Sequence, residues 1–145
     1  MLNLMYPEVR RFYRAAESHF DAASALLSQC PDLVASTRGH EVVYLCGYVI
    51  ECSFKALLLS RTPAKKHQES ISWFKRVLKH DLDLLKRELS RNGIDIPKAY
   101  AQDFNRVRSN WLSEMRYEAR RWRRNDAELV LKSVRRVFTW VKGER

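Results

Sequence analysis

Apolar residues in this chain recur at helical spacing almost from end to end, and no run alternates at the period of a strand. Val9, Phe12, Tyr13, Ala16, Phe20, Ala23 and Leu27 trace one face of a first helix. Pro7 suits its first turn, where a missing N–H costs nothing, and Cys30-Pro31 ends it. Residues 42–59 are apolar on nearly every side, with Ser36 or Thr37 placed to cap the helix. A helix of that kind belongs in the middle of a domain. Residues 61–66 break the pattern and predict a loop, and 71–78 fit either a short helix or an ordered loop. Asp81 predicts the cap of a third helix over 82–91, which Asn92-Gly93 stops. Pro97 opens a fourth helix through about Ser109. Residues 110–124 have poor amphipathic order. Asn125-Asp126-Ala127-Glu128 then predicts a capped start to a last helix that buries Ala127, Val130, Val134, Val137, Phe138 and Val141. The expected fold is all-α: one domain over 1–145, an antiparallel bundle of about five helices with the second at its centre.

The central helix carries one acid and one base. Glu51 and Lys55 are four apart and share a face. A catalytic Lys needs its pKa lowered, and an adjacent Glu does the opposite, so the pair predicts a packing role or the lining of a polar pocket. A membrane span would rarely hold both charges, so no membrane partner is expected. Cys30, Cys46 and Cys52 make no disulfide framework, and with no CxxC and scattered histidines no metal or cofactor is expected. Without a secretory layout at the N-terminus, the expectation is a reducing, cytoplasmic home.

The net charge of +10 favours an anionic partner such as nucleic acid or a nucleotide, although such a surplus also serves solubility alone. Its densest stretch is Arg116, Arg120, Arg121, Arg123 and Arg124, with Trp122 among them. Guanidinium groups beside an indole suit a sugar–phosphate backbone and an unstacked base. The plain alternative is an exposed basic face with Trp122 tucked into the core or a dimer contact. Arg116-Tyr117 offers a planar fork for phosphate together with a ring and a hydroxyl; internal pairing of Arg116 with Glu51 or Glu118 competes with that. His80 and Asp81 open a helix, where Asp81 suits a cap and His80 either a cleft acid, base or phosphate donor or a solvated position.

Three segments carry a resemblance. Residues 44–57, Tyr44-Leu45-Cys46-Gly47-Tyr48-Val49-Ile50-Glu51-Cys52-Ser53-Phe54-Lys55-Ala56-Leu57, are similar to the "YLxGYxxECxLKAL" helix of the HEPN family of helical domains. His80-Asp81-Leu82-Asp83-Leu84-Leu85 resembles its "HDLxxL" helix start, and Trp111 through Arg116-Tyr117 its "W…RY" element. The resemblance implies an all-α bundle that often dimerises and a place beside a nucleotidyltransferase partner in a toxin–antitoxin or defence pair. Some members are metal-independent endoribonucleases; others bind nucleotides or act as non-catalytic partners. The ribonuclease branch uses an Arg, four to six residues, then a His, late in the chain. Here no histidine follows His80. Arg14…His19 and Arg61…His67 match that spacing only by chance, and the first pair predicts a solvated face of helix one.

These features predict a non-catalytic module that binds nucleotide or nucleic acid, or docks on a partner, through Glu51, Lys55, His80, Asp81, Arg116, Tyr117, Arg120, Arg121 and Trp122. One alternative is an endoribonuclease with a non-standard site built from His80, Arg116 and Tyr117. Another is a structural homodimer that packs the Trp111/Trp122 region or the last helix.

Overall fold

The computed structural model describes residues 2–111 and 120–143. Helix α1 spans Pro7–Leu27, with Pro7 in its first turn. Helix α2 spans Thr37–Ser60, and the Ser36 hydroxyl accepts the Gly39 N–H at 3.3 Å to close its N-terminus. A 3-10 turn over Ala64–Lys66 leads into α3, His67–Trp73, which widens into a π-helical turn over Phe74–Leu78. Helix α4 follows at Leu82–Arg91, capped by Asp81, then α5 at Lys98–Asn110 and α6 at Arg124–Lys142.

Six α-helices therefore occur among the described residues, against the expected five. The additional one, α3, buries only His67 and Ile71, too short an apolar trace to announce a helix in sequence. The ambiguous stretch 71–78 is helical throughout, and 64–66 is a turn of helix within the expected loop. Helix α6 begins at Arg124, with Asn125 and Asp126 inside its first turn; Asp126 favours the start by placing negative charge at the positive end of the helix dipole. The predicted stripe is correct: Ala127, Val130, Val134, Val137, Phe138 and Val141 are all buried.

Helix α2 packs against α1, α4, α5 and α6, which explains why it is apolar on all sides. It is long and apolar enough to cross a membrane, yet 83% of its most apolar window lies inside the fold. Phe54 on α2 stacks on Phe104 of α5 at 5.7 Å and meets Trp140 of α6 edge-on at 6.2 Å. The C-terminal end of α2 is tied to α1 through His67, which is fully buried. Its Nε2 lies 2.9 Å from the carbonyl oxygens of both Leu59 and Thr62, and its Nδ1 lies 3.1 Å from Glu8 Oε2. The ring thus lies against one carbonyl of the last helical turn and one just past it, adding to the Thr62 N–H that Leu59 already accepts.

Two glycines on α2 are notches. A Cβ on Gly47 would stand 2.1 Å from the indole of Trp111, and one on Gly39 would stand 2.6 Å from the carbonyl oxygen of Trp122. Ser36 and Trp122 exchange backbone hydrogen bonds of 2.9 and 3.0 Å, and the Arg120 N–H donates to Nδ1 of the buried His40 at 3.1 Å. Trp111 and Arg120–Trp122 are therefore seated on one helix, about 12 Å apart along its axis at the usual helical rise.

Candidate functional site

The chemistry gathers where α2 passes the start of α4. Glu51 is 3% exposed, so its charge must be met inside the protein. Lys55, one turn on, gives its Nζ to Oε2 at 3.1 Å. The Lys55 ammonium also lies over the rings of Phe12 and Phe74, at 5.7 and 5.2 Å. The other carboxylate oxygen, Oε1, receives His80 Nδ1 at 2.7 Å, the length of a charge-assisted bond. Removing either partner would leave a buried carboxylate short of compensation, a loss of about 3–5 kcal/mol for a pair of this kind.

His80 reaches Glu51 because the chain makes an unusual turn. The π-helical turn closes with the Lys79 N–H on the Phe74 carbonyl at 3.2 Å. Lys79 and His80 then both take left-handed backbone conformations, with φ of 43° and 72°. Each non-glycine residue held there costs on the order of 1 kcal/mol, and such outliers concentrate at functional sites. Asp81 immediately restores a helix start by accepting the Leu84 N–H at 3.0 Å.

Aromatic rings wall the imidazole. Tyr48 meets it edge-on at 5.8 Å and Trp111 at 6.2 Å, and those two rings meet each other at 5.2 Å. Trp111 is fixed by its Nε1–H, which donates to the Tyr44 carbonyl at 3.0 Å, and by the Gly47 notch beneath it. The hydroxyls of Tyr44 and Tyr48 are 3.0 Å apart. His19 of α1 completes the wall at 5.4 Å from Tyr48. Burial holds its imidazole below the ordinary value of 6.5, with the Glu51 carboxylate pulling the other way. The His80 side chain remains 43% exposed. The result is a niche with a polar floor, aromatic sides and a part-exposed imidazole.

The hydrogen-bond polarity of the niche follows from the carboxylate. Ionised Glu51 only accepts, so His80 Nδ1 carries the proton of that bond. In the neutral ring Nε2 is then an acceptor, the orientation by which a buried carboxylate prepares a histidine for proton transfer.

Of the residues expected at a site, Glu51, Lys55 and His80 come together here. Asp81 adjoins them in sequence but serves as the cap of α4. Arg116 and Tyr117, and with them the expected approach of Arg116 to Glu51, lie outside the described residues. Arg120 and Arg121 are exposed, and Trp122 is half-buried against the core. Arg124 is engaged internally, with its Nη1 3.0 Å from Asp32 Oδ1, and so is Arg136, with its Nε 2.8 Å from Asp103 Oδ2. The solvated face expected for Arg14 and His19 holds for Arg14 alone; the His19 ring is turned against α2. Sequence reasoning missed Tyr44, Tyr48 and Trp111 as walls. The glycine three residues after Tyr44, in the middle of an otherwise apolar helix, was the available signal.

Cys46 and Cys52 are buried on α2, and burial pushes both thiols up, Cys52 to about 11, so neither is a thiolate near neutral pH. Among the described residues no three His, Cys, Asp or Glu side chains gather as metal ligands.

A family model described as HEPN domain matches residues 9–144. No curated protein matches the chain, and no solved structure does.

Proposed function

The chain belongs to the HEPN family, a helical fold with a general nucleotide- or RNA-related role, and from that premise we propose that it is a non-enzymatic module that binds nucleotide or nucleic acid at the Glu51–His80 niche. The single observation behind this reading is the 2.7 Å contact from His80 to a buried carboxylate, flanked by the rings of Tyr48 and Trp111. Aromatic edges and faces receive unstacked bases, and exposed arginines hold phosphates. Arg120 and Arg121, together with Arg116 and Tyr117, are the proposed phosphate-side residues. The net charge of +10 draws a polyanion toward them. The missing late histidine argues against the ribonuclease branch. The family membership is the support for a cytoplasmic toxin–antitoxin or defence pair in which a nucleotidyltransferase is the proposed protein partner and the module itself dimerises.

Fluorescence anisotropy with labelled single-stranded RNA tests the reading. Affinity is expected to fall steeply with salt, and Arg120→Ala with Arg121→Ala to reduce the salt slope by about one per lost phosphate contact. Absence of binding at low salt would remove the reading.

A second reading has an observation in its favour. A part-exposed imidazole oriented by a buried carboxylate is the kind of group that takes a proton from a ribose hydroxyl. Incubation with total RNA in EDTA decides it: cleavage that disappears in His80→Ala supports a metal-independent endoribonuclease, and RNA that stays intact refutes it.

A further inference from the structure

The turn that delivers His80 also shapes the surface beside it. Phe74 and Leu78 are buried at the two ends of the π-helical turn. Between them Lys75, Arg76 and Val77 are all exposed, and Lys79 and His80 continue the exposed run through the left-handed turn. Three residues of that run carry positive charge. Asp81, the carboxylate that follows, is turned to the Leu84 N–H as the cap of α4. Both π-helical turns and left-handed non-glycine residues recur at functional sites.

One stripe of α2 fixes where this surface lies. His40 receives the Arg120 N–H at 3.1 Å, Gly47 seats Trp111, Glu51 meets His80 at 2.7 Å, and the Lys55 ammonium lies 5.2 Å over Phe74. Those four positions recur at helical spacing on one face. Arg120 and Arg121 therefore stand at one end of the stripe and the π-helical turn at the other, with His80 between them. The stripe from His40 to Lys55 is about 22 Å long at the usual helical rise. Helix α1 adds Arg11 at the far end: its guanidinium lies 5.2 Å over Phe12, and Phe12 meets Phe74 edge-on at 5.7 Å.

We infer that the turn at Lys75–Lys79 is a second phosphate-binding surface. A single strand of RNA that engages Arg120 and Arg121 runs along the α2 stripe past His80 and sets its backbone on Lys75, Arg76 and Lys79. This rests on the binding reading above and extends it from a niche to a track with cations at both ends. Cations gathered on a turn hold a sugar–phosphate backbone without reading its sequence. Val77, 54% exposed in their midst, is one apolar side chain, enough to lie against a ribose or a base. It is too little to bury an apolar face in a bilayer, so the charge and shape of this surface favour a strand over an anionic membrane.

The test is fluorescence anisotropy of the full chain with a labelled oligouridine of about twelve nucleotides, a length typical of single-strand sites, across salt concentrations. One variant combines Lys75→Gln, Arg76→Gln and Lys79→Asn, since asparagine tolerates the left-handed backbone of position 79. A control removes the same charge from exposed positions on α4 and α5, with Arg87→Gln, Arg91→Gln and Lys98→Gln. Circular dichroism verifies each fold. The slope of log affinity against log salt is expected to fall by about two in the turn variant, the counterion release of three contacts to a single strand, and to stay near wild type in the control. If the triple variant does not fold, Lys75→Gln with Arg76→Gln leaves the left-handed turn untouched and should lower the slope by about 1.4. A wild-type slope in the folded turn variant, or an equal fall in the control, overturns the inference while RNA binding stands. Loss of binding to phosphatidylserine vesicles with an unaltered RNA slope also overturns it, and assigns the patch to a membrane. Failure of wild type to bind the oligomer at low salt overturns the binding reading and this inference with it.

Discussion

Replacing Gly47 by alanine tests how the aromatic wall is seated. On an ordinary helix the change is stabilising by about 1 kcal/mol, because glycine is the poorer helix former. Here the added methyl would stand 2.1 Å from three atoms of the Trp111 indole, closer than real carbon contacts allow, so the ring must move. Moving it breaks the 3.0 Å bond from Trp111 Nε1–H to the Tyr44 carbonyl, a loss of about 1 kcal/mol. It also disturbs the edge contacts to Tyr48 and His80, roughly 0.5–1.5 kcal/mol, and adds repacking strain of about 1–3 kcal/mol. Steric loss wins over helix propensity, leaving a net destabilisation of about 2 kcal/mol, or roughly 6 °C in Tm for a chain of this size. Thermal melts of a double-mutant cycle isolate the cause. With Trp111→Ala already present, Gly47→Ala should be neutral or stabilising by about 1 kcal/mol, because the obstacle is gone. A higher Tm for Gly47→Ala alone, or the same loss in both backgrounds, would refute the notch.

Three further outcomes are expected. The hydrogen bond with His67 holds the Glu8 carboxyl below its ordinary value of 4.5, so its folded pKa is depressed relative to the unfolded chain. The stability it contributes is therefore fully present above pH 4.5 and disappears as pH falls through the lowered folded value; Tm against pH for wild type and Glu8→Gln should differ most above pH 4.5 and converge in acid, and a constant gap would contradict this. Cys46 and Cys52 should react with a thiol reagent only after denaturant is added, since both thiols are buried and protonated near neutral pH; rapid labelling of the native protein would be inconsistent with their place on α2. Ser133 is 1% exposed, accepts Arg106 Nη1 at 2.8 Å and donates to Asp103 Oδ1 at 3.0 Å, so Ser133→Ala should lower the urea midpoint by the equivalent of about 1–2 kcal/mol with the slope unchanged, and an unaltered midpoint would contradict its linking α5 to α6.

Local rules made much of this fold legible in the sequence. Ser36 and Asp81 cap the helices that their residue types predict, and the stripe from Ala127 to Val141 faces the core as its spacing requires. Glu51 and Lys55 pair because their separation is one helical turn. The rest of the niche depends on contacts that sequence spacing does not encode. His80 lies 29 residues from Glu51 and meets it only because a π-helical turn ends in two left-handed residues, neither of them the glycine or asparagine that advertises such a turn. Trp111 is 67 residues from the carbonyl that fixes it. Helix α3 was hidden for another reason: one of its two buried positions is a histidine, which reads as polar until its three oxygen neighbours are known.

The account depends on His80 giving its Nδ1–H to the buried carboxylate of Glu51 at the place where RNA binds. A long-range proton–nitrogen NMR spectrum of the imidazole, recorded near neutral pH without and then with single-stranded RNA, reads this directly. The expected spectrum shows His80 protonated on Nδ1 in the free protein, with the ring's signals moving when RNA is added. The opposite tautomer, or a His80 ring whose signals ignore saturating RNA, would contradict it.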